Sequence, residues 1–373
     1  MTWAEDLKLE AKEFLGDFQE FSEEDPFNGN FVEGLIGRRQ GDAYGALLIT
    51  RVNYQKALQR VLGTPKLGYP FDPAGRWHFP KAVRILAYEK LDGTNVFGYR
   101  YRDTDGKEYA TWKPRLRPFL ADGRFGPFLA MWREMLDRYP VLGWQVGNRA
   151  SFELYGSRNL HLIKYETLLD TALLFTRDEA GHLLPPIQEP PGVPTAKLIA
   201  EVTQDYIWSY QEQQRVLSEG LIRQDDGTFT GSEGHVWYLL DELGKWHLFK
   251  LKPAEIEAIH WTEGRRISRE VIRATALNLI ESDPLTADGV ALLLLEEFPS
   301  EEVDASQELI SRVVREVAEH LEFRDTVLAS YRALDLPWTR ENQPSIMRAL
   351  ASQFRKQDMK RVYSALTALL GAG

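Results

Sequence analysis

The chain has 373 residues, 43% of them hydrophobic and 12% aromatic, which is enough for two or three domains with cores of their own. Its net charge of −10 disfavours a protein that coats nucleic acid through a general positive field, but allows an enzyme that binds a few phosphates in a local cleft. The absence of cysteine excludes disulfides and a cysteine nucleophile, and with no apolar run of 18 residues and an acidic N-terminus we expect a cytoplasmic protein with no membrane span.

The N-terminal residues predict short elements that could pack on the domain after them. Apolar residues recur at helical spacing over 2–21, which predicts an amphipathic helix. Residues 22–46 are rich in glycine and acidic residues and predict turns that join short strands. A second helix is predicted over 52–62 and a loop over 63–80. We interpret residues 1–75 as an N-terminal appendage.

Residues 76–253 predict a domain of mixed strands and helices. Alternating apolar residues and turn signals predict strands at 83–88, 96–101, 108–112, 152–154, 172–175, 236–240 and 247–251. Helical spacing predicts helices at 128–139, 195–200 and 209–220. Short strands mixed with helices in this way are typical of an α+β fold with antiparallel sheets.

The strand pattern ends after Pro253, and residues 254–373 predict an all-α C-terminal domain. Helices are predicted at 254–259, 268–281, 286–297, 305–323 and 345–370. Ser268, Thr286 and Ser345 are the predicted N-cap residues, because a hydroxyl can accept a hydrogen bond from a free amide of the first turn.

The last predicted helix concentrates positive charge within an otherwise acidic chain. The basic residues are Arg348, Arg355, Lys356, Lys360 and Arg361, with Arg332 and Arg340 just before them. They could contact RNA phosphates. They could equally be a solvated helix face that pairs with the acidic run at 296–304, an interpretation we slightly favour.

A candidate nucleophile lies in the sequence Glu-Lys-Leu-Asp-Gly-Thr-Asn at 89–95, directly after a predicted strand. The amine of a lysine can attack phosphorus only when it is deprotonated, and its pKa in water is about 10.4. Nearby cations favour the neutral amine, and Lys250 and Lys252 are predicted to share one face of a strand. We therefore predict Lys90 as the nucleophile and the two later lysines as groups that neutralise a phosphate.

Further side chains have chemistry that suits a bound nucleotide. Glu153, on a predicted strand, could accept hydrogen bonds from ribose hydroxyls, and Phe175 could stack on a purine. Glu233 supplies a hard oxygen ligand suited to Mg²⁺ or Mn²⁺. Lys113 and Arg115 follow the nucleophile by about one hairpin, and either could reach a phosphate. Lys113 is our first choice and Arg115 the second.

Each of these motifs has a structural explanation when it is taken alone. Lys-x-Asp-Gly is common in surface turns, a phenylalanine such as Phe175 usually belongs to a core, and Lys-x-Lys at 250–252 can be a solvated strand face. Five motifs that occur together in a fixed order favour one joint site.

The motifs resemble those of the covalent nucleotidyltransferases, the ATP-dependent ligases and capping enzymes. The five segments that carry the resemblance are 89–95, 152–156, 172–175, 233–236 and 249–253. Over residues 81–253 the chain resembles the ATP-dependent RNA ligases of phage T4 type. The resemblance implies an antiparallel-sheet nucleotidyltransferase (ATP-grasp-like ligase) domain. Helices after 253, where DNA ligases and capping enzymes carry a β-barrel, resemble the RNA ligases.

The resemblance also implies roles for individual residues. Lys90 would become linked to AMP, Glu89 would flank the adenine, and Asn95 corresponds to an asparagine of the nucleophile motif. Glu153 would bind the ribose, Phe175 would stack on adenine, and Glu233 would assist metal and phosphate. The paired lysines of the last motif correspond to Lys250 and Lys252.

The implied activity is the joining of RNA ends that carry a 5′-phosphate and a 3′-hydroxyl. ATP and Mg²⁺ or Mn²⁺ are the implied cofactors, RNA ends the implied partners, and a homodimer is compatible with the sequence. Two alternatives are a DNA or mixed nick ligase with the same chemistry, and a degenerate nucleotidyltransferase that only binds nucleic acid. The presence of all the charged motif residues argues against the degenerate form.

Overall fold

The chain folds into helices and antiparallel sheets. A computed structural model describes residues 3–38, 43–71, 76–124, 126–145, 149–186, 192–224, 228–253, 267–295 and 298–371. Every pairing between named strands in these residues is antiparallel. Within the same residues, no helix has the length and apolar character needed to cross a membrane.

The N-terminal region consists of one helix and a four-stranded sheet. Its elements are α1 (Trp3–Leu15), β1 (Phe18–Glu24), β2 (Phe31–Gly37), β3 (Leu47–Val52) and β4 (Gln55–Val61), with the strands in sequence order across the sheet. The predicted helix over 2–21 is too long. Gly16 has a φ of +71° and ends the helix, because glycine takes this left-handed conformation without steric cost.

The helix predicted over 52–62 is wrong, because this segment forms a β-hairpin. Asn53 and Tyr54 have φ values of +50° and +66°, which a two-residue turn between antiparallel strands requires. Along β4 every second side chain, from Ala57 to Val61, is turned inward. This alternation suits one face of a sheet, and the pairing of β4 with β3 overrides the local helical spacing.

Two sheets form the centre of the molecule. Their strands are β5 (Ala82–Glu89), β6 (Thr94–Arg102), β7 (Glu108–Lys113), β10 (Ser151–Tyr155), β11 (Asp170–Arg177), β12 (Leu183–Leu184), β13 (Leu198–Val202), β16 (His235–Asp241) and β17 (Trp246–Leu251). One sheet has the order β12-β11-β10-β6-β7 and the other the order β13-β5-β16-β17. Two short pairs complete the strands, namely β8 (Asp122–Gly123) with β9 (Gly126–Pro127) and β14 (Ile222–Arg223) with β15 (Phe229–Thr230).

Helices cover the outer faces of the two central sheets. They are α2 (Phe128–Arg138), α3 (Val141–Gln145), α4 (Gln204–Trp208) and α5 (Tyr210–Glu219). Trp132 of α2 packs with Phe152 on the five-stranded sheet. Ile207 and Tyr210 pack with Trp237 on the four-stranded sheet. The helix predicted over 195–200 is wrong, because β13 pairs with β5 at the sheet edge.

The C-terminal region is helical throughout its described part. Its helices are α6 (Arg269–Leu279), α7 (Ala287–Leu294), α8 (Ser300–Ala305), α9 (Gln307–Arg332), α10 (Gln343–Leu350) and α11 (Met359–Leu370), with a 3₁₀ turn at Lys356–Asp358. The predicted caps Ser268 and Thr286 accept hydrogen bonds from the amides of Val271 and Gly289. Ser345 instead lies inside α10. The helix predicted over 254–259 lies outside the described residues.

The path of the chain between the two central sheets creates the site. β5 belongs to the four-stranded sheet and β6 to the five-stranded sheet, so residues 90–93 cross from one sheet to the other. Asn95 on β6 lies opposite Glu153 on β10, and Glu89 on β5 lies opposite His235 on β16. The candidate motifs therefore meet where the two sheets face each other.

Candidate active site

The amine of Lys90 is held by a carboxylate from the neighbouring strand. The backbone amide of Lys90 donates to the carbonyl of Gly234 at 2.9 Å, which extends the pairing of β5 with β16. Lys90 Nζ lies 2.6 Å from Glu233 Oε2, and Lys252 Nζ lies 2.9 Å from Glu233 Oε1. One carboxylate therefore holds two amines in place, one on each oxygen.

Burial and charge act in opposite directions on Glu233. Burial disfavours its ionised form, but the charges and hydrogen bonds of Lys252 and Lys90 lower the pKa of this carboxyl below its ordinary value. In this arrangement Glu233 is a carboxylate and Lys90 is its ion-pair partner. Lys90 can act as a nucleophile only after this pair is broken and the ammonium group loses a proton.

The carboxyl of Glu153 faces the same space from the five-stranded sheet. Its Oε1 accepts a hydrogen bond from the amide of Gly93 at 3.0 Å. Burial raises the pKa of Glu153 to about 7. Beside it, Asn95 Nδ2 donates to Ser151 Oγ and to the carbonyl of Phe152. The Oδ1 atom of Asn95 is buried and has no hydrogen-bond partner in the described residues, so it can accept one from a ligand.

These side chains line one cavity with a volume of about 200 Å³. Its walls include the predicted site residues Lys90, Asn95, Arg115, Glu153, Glu233, Lys250 and Lys252. The amine of Lys250 also lies 4.4 Å from the centre of the Tyr69 ring. Counting Lys66, five basic side chains line this space together with four carboxyl groups, and the basic groups suit a ligand with several negative charges.

Arg115 reaches the cavity and Lys113 does not. Lys113 is 1% exposed, and its amine donates to the carbonyls of Pro114 and Arg115 at 2.9 Å each. Burial, with the charges of Arg115 and Arg38, lowers the pKa of Lys113 to about 7. The Nε atom of Arg115 is buried and has no hydrogen-bond partner in the described part of the chain. The structure thus places our second choice, not our first, where a phosphate could bind.

Two other predicted residues lie away from the cavity wall. Phe175 is buried in the hydrophobic core between the sheets, with the guanidinium group of Arg177 5.8 Å from its ring centre. Glu89 Oε1 accepts a hydrogen bond from the backbone amide of Lys197 on the sheet edge. Neither side chain is brought to the space in front of Lys90.

A half-buried acid, Asp92, and a buried histidine, His161, neither of which the sequence interpretation assigned, lie near the candidate nucleophile Lys90. Asp92 Oδ2 accepts a hydrogen bond from the amide of Ile163 at 2.7 Å, and Oδ1 lies 3.7 Å from His161 Nδ1. Burial and the nearby charge of Glu233 raise the pKa of Asp92 to about 7. Burial lowers the pKa of His161 to about 4, so its ring is neutral near pH 7. Asp92 belongs to the motif at 89–95, whereas no sequence motif includes His161.

The N-terminal and C-terminal regions also contribute to the cavity wall. The additional lining residues are Tyr44, Lys66, Thr275, Asn278, Glu281, Ser282 and Leu293. Glu281 Oε1 lies 3.6 Å from His161 Nε2. Burial and the nearby Glu153 carboxyl raise the pKa of Glu281 well above its usual value. These residues are distant in sequence from every motif, so no local pattern could have identified them.

Glu233 is the candidate ligand for a divalent cation that binds together with substrate phosphates. In the described residues no group of three His, Asp or Glu side chains could hold a metal ion by itself. Mg²⁺ is usually bound by one or two carboxylates, water and substrate phosphates. Glu233 would supply such a carboxylate, because it lines the cavity and its lowered pKa keeps it ionised.

The basic residues of the C-terminal helices are exposed, and two of them pair locally. Arg355 Nε lies 2.8 Å from Asp358 Oδ2, and Arg361 Nη1 lies 3.8 Å from Asp358 Oδ1. The ring of Phe323 lies beneath the guanidinium group of Arg361. Both arginines thus have a partner on their own helical segment, which differs from the pairing with the acidic run at 296–304 that we slightly favoured.

Comparison with solved structures shows similarity of fold. No protein-family model matches the chain, and no curated protein matches it either. Two solved forms of an archaeal ATP-dependent RNA ligase are similar at 15% and 14% identity, each with a TM-score of 0.46. The likeness covers 93% of this chain and 86% of the first form, and 97% and 95% for the second. A putative ATP-dependent DNA ligase from Aquifex aeolicus is similar at 14% identity and a TM-score of 0.43, over 94% of this chain and 88% of its own.

Proposed function

We propose that this protein is an ATP-dependent ligase that joins RNA ends through a lysyl-AMP intermediate. The observation that carries the proposal is the contact of Lys90 and Lys252 with the two oxygens of Glu233 at a polar cavity. The guanidinium group of Arg115, with its unpaired Nε, faces the same space. An amine surrounded by further cations suits attack on a phosphate that those cations neutralise.

In the first step Lys90 Nζ attacks the α-phosphorus of ATP. A nitrogen–phosphorus bond forms, the bond to the β-phosphate oxygen breaks, pyrophosphate leaves and the amine proton passes to solvent. Lys250, Lys252 and Arg115 neutralise the phosphate charge during the displacement. Glu233 is the carboxylate that would hold a divalent cation bound with the phosphates, and such a cation would supply further positive charge against the leaving pyrophosphate.

Two further displacements complete the reaction. The AMP group passes from Lys90 to the 5′-phosphate of an RNA end, which regenerates the free amine. The 3′-hydroxyl of the second end then attacks that phosphate, forms the new phosphodiester bond and releases AMP. Because each step is an in-line displacement, positioning and charge neutralisation supply most of the catalysis.

Under this proposal each region of the chain has a role. Residues 76–253 are the adenylyltransferase domain, and residues 1–75 are an appendage that contributes Tyr44 and Lys66 to the cavity. Residues 254–373 are a helical domain that supplies one wall of the cavity. RNA is the proposed substrate because helices, and not a β-barrel, follow β17 in the described part of the chain.

The proposal is tested by self-labelling with α-³²P-ATP. The protein is first treated with pyrophosphate to remove any AMP, then incubated with labelled ATP and Mg²⁺ or Mn²⁺ and denatured. We expect acid-labile label on the wild type and none on Lys90→Ala, because the variant lacks the attacking amine. Lys245→Ala removes an exposed lysine on the turn between β16 and β17 and should label like the wild type. No label on the wild type with either metal, or equal label on Lys90→Ala, would overturn the proposal.

The substrate is tested separately with end-labelled strands. The same 5′-phosphate strand is offered with a 3′-hydroxyl strand of RNA or of DNA, both as single strands and on a complementary splint. We expect joining with RNA ends and little with DNA ends. Equal rates with DNA would support the mixed nick ligase, and labelling without any joining would support a binding module that retains only the first step.

A further inference from the structure

The segment 66–84, which leads from the first sheet into the start of β5, combines aromatic and basic side chains. Its aromatic residues are Tyr69, Phe71, Trp77 and Phe79, and its basic residues are Lys66, Arg76, Lys81 and Arg84. Residues 66–84 contain one acidic residue, Asp72, so four cations against one carboxyl give a net charge of +3 in a chain whose net charge is −10. Interleaved aromatic and basic residues are typical of surfaces that bind single-stranded nucleic acid.

The aromatic side chains form a continuous series of contacts that starts at the cavity. Lys250, on the cavity wall, has its amine 4.4 Å from the centre of the Tyr69 ring. The ring centres of Tyr69 and Phe71 are 5.8 Å apart, and those of Phe71 and Trp77 are 5.6 Å apart. Trp77 then meets Trp208, the last residue of α4, at 4.9 Å.

The series ends on the surface of the protein. Trp77 is 39% exposed and Trp208 is 51% exposed, and the two rings meet at an interplanar angle of 75°. The ring of Phe79 contacts both of them, at 5.5 Å from Trp208 and 5.9 Å from Trp77 between ring centres. Phe71 and Phe79 pack against the apolar core of the four-stranded sheet, so they anchor the exposed rings to a rigid element.

Two basic residues of the same segment, Lys81 and Arg84, can contact a phosphate backbone. Lys81 Nζ lies 2.6 Å from Glu242 Oε1, and Arg84 Nη2 lies 2.8 Å from Glu201 Oε2. Both ion pairs are exposed, and exposed pairs contribute little to stability. A nucleic-acid phosphate can therefore replace either carboxylate at small cost. Lys66 lines the cavity and adds a further positive charge there.

From this arrangement we infer that the surface of Trp77 and Trp208 binds an unpaired stretch of the RNA whose end enters the cavity. Bases that are stacked in a duplex cannot offer their faces to protein rings, so an aromatic surface selects single strands. The inference deepens the proposed function and rests on it, since it names the substrate class as RNA with an unpaired region beside the end to be joined.

The experiment measures binding of a fluorescent 12-nucleotide RNA to the full chain by anisotropy. Trp208→Leu keeps an apolar side chain against Trp77 and Phe79 but removes the stacking face, whereas Trp208→Phe keeps a face. We expect Trp208→Leu to raise the Kd for single-stranded RNA at least about 5-fold and Trp208→Phe to change it little. A blunt RNA duplex of the same length should bind more weakly and should not distinguish the variants. Tyr363→Ala, which removes an exposed aromatic ring of α11, should match the wild type.

Self-labelling with ATP separates this inference from the proposed function. We expect Trp208→Leu to label at the wild-type rate, because the ring lies outside the cavity that holds Lys90. Normal labelling with an unchanged Kd for single-stranded RNA would overturn the inference and leave the ligase proposal standing. A wild type that binds RNA through Trp208 but never labels would support the RNA-binding surface and overturn the ligase proposal. Conversion of a dimer into a monomer by Trp208→Leu, seen by light scattering with RNA binding unchanged, would assign the surface to a second copy of the chain.

Discussion

The carboxylate of Glu233 controls the resting state of the site at the scale of single residues. It holds Lys90 at 2.6 Å and Lys252 at 2.9 Å, so two cations and one anion share a buried position. A buried carboxylate with two hydrogen-bonded partners is stable, whereas a buried carboxylate that has lost them is costly. Under the proposed function, the same geometry that keeps Lys90 in place would also hold back its attack until a ligand competes for Glu233.

Loss of Arg115 should weaken ATP binding, whereas loss of Lys113 should lower the stability of the fold. We expect Arg115→Ala to weaken ATP binding about 10-fold or more, since hydrogen bonds to charged groups contribute roughly 1.5–3 kcal/mol. Lys113→Ala should instead lower the free energy of unfolding by about 2–5 kcal/mol, because it leaves a cavity and two unpaired carbonyls. Calorimetric titration with a non-hydrolysable ATP analogue and thermal unfolding measure the two effects. Unchanged ATP affinity in Arg115→Ala would contradict the assignment.

The sequence predicted the residues of the site better than their surroundings. Lys90, Glu233 and Lys252 lie within contact distance, as expected for short motifs at strand ends. The sequence could not decide between Lys113 and Arg115, because both lie at the end of β7 and only the fold determines which one is enclosed. For Phe175 the sequence also left two environments open, since an aromatic residue on a strand suits a core and a ligand pocket equally well, and the structure shows it in the core.

At the scale of elements, the β16–β17 hairpin brings one end of the site together. Its strands pair from His235 with Leu251 to Leu240 with Trp246. This pairing puts Glu233, just before β16, beside Lys252, just after β17. The site therefore depends on close approach of the two chain segments at the open end of the hairpin.

Gly234 should be required for that approach. It has a φ of +133°, and a Cβ atom there would lie 1.9 Å from the carbonyl oxygen of Leu251. We expect Gly234→Ala to lower the free energy of unfolding by more than about 3 kcal/mol and to impair self-labelling, because strain and a backbone clash add. Gly244, at the closed end with a φ of +80° and open space around it, is the matched control. Gly244→Ala should cost only about 1 kcal/mol, and equal losses in the two variants would refute the explanation.

At the scale of the whole molecule, three regions enclose the cavity. Tyr44 and Lys66 come from the N-terminal side, the motif residues from the central sheets, and Thr275 to Leu293 from the helices. The helical region is also tied to the centre, since Arg324 Nη2 donates to the carbonyl of Ser157. A cavity of about 200 Å³ is smaller than most ligand pockets, which measure roughly 300–1,000 Å³.

ATP binding should therefore move the helices away from the sheets. The chain lacks cysteine, so spin labels can be attached at Asp105→Cys, on the β6–β7 turn, and Glu308→Cys, on α9. We expect the distance distribution between them to shift when a non-hydrolysable ATP analogue and Mg²⁺ are added. A control pair within the helical region, Glu308→Cys with Arg340→Cys, should stay constant. A fixed distance in the first pair with proven analogue binding would show that the cavity accepts ATP without this motion.

The sequence by itself determined the mixed α+β character, the helical character of the described C-terminal residues and the motif residues from which the candidate site is built. Those features depend on local periodicity and on short motifs, which a single chain displays directly. Only the tertiary structure decided that 55–61 and 198–202 are strands, because pairing with another strand outweighs local spacing. Only it placed Asp92, His161 and Glu281 near Lys90 and enclosed Lys113, since burial and proximity belong to the folded chain as a whole.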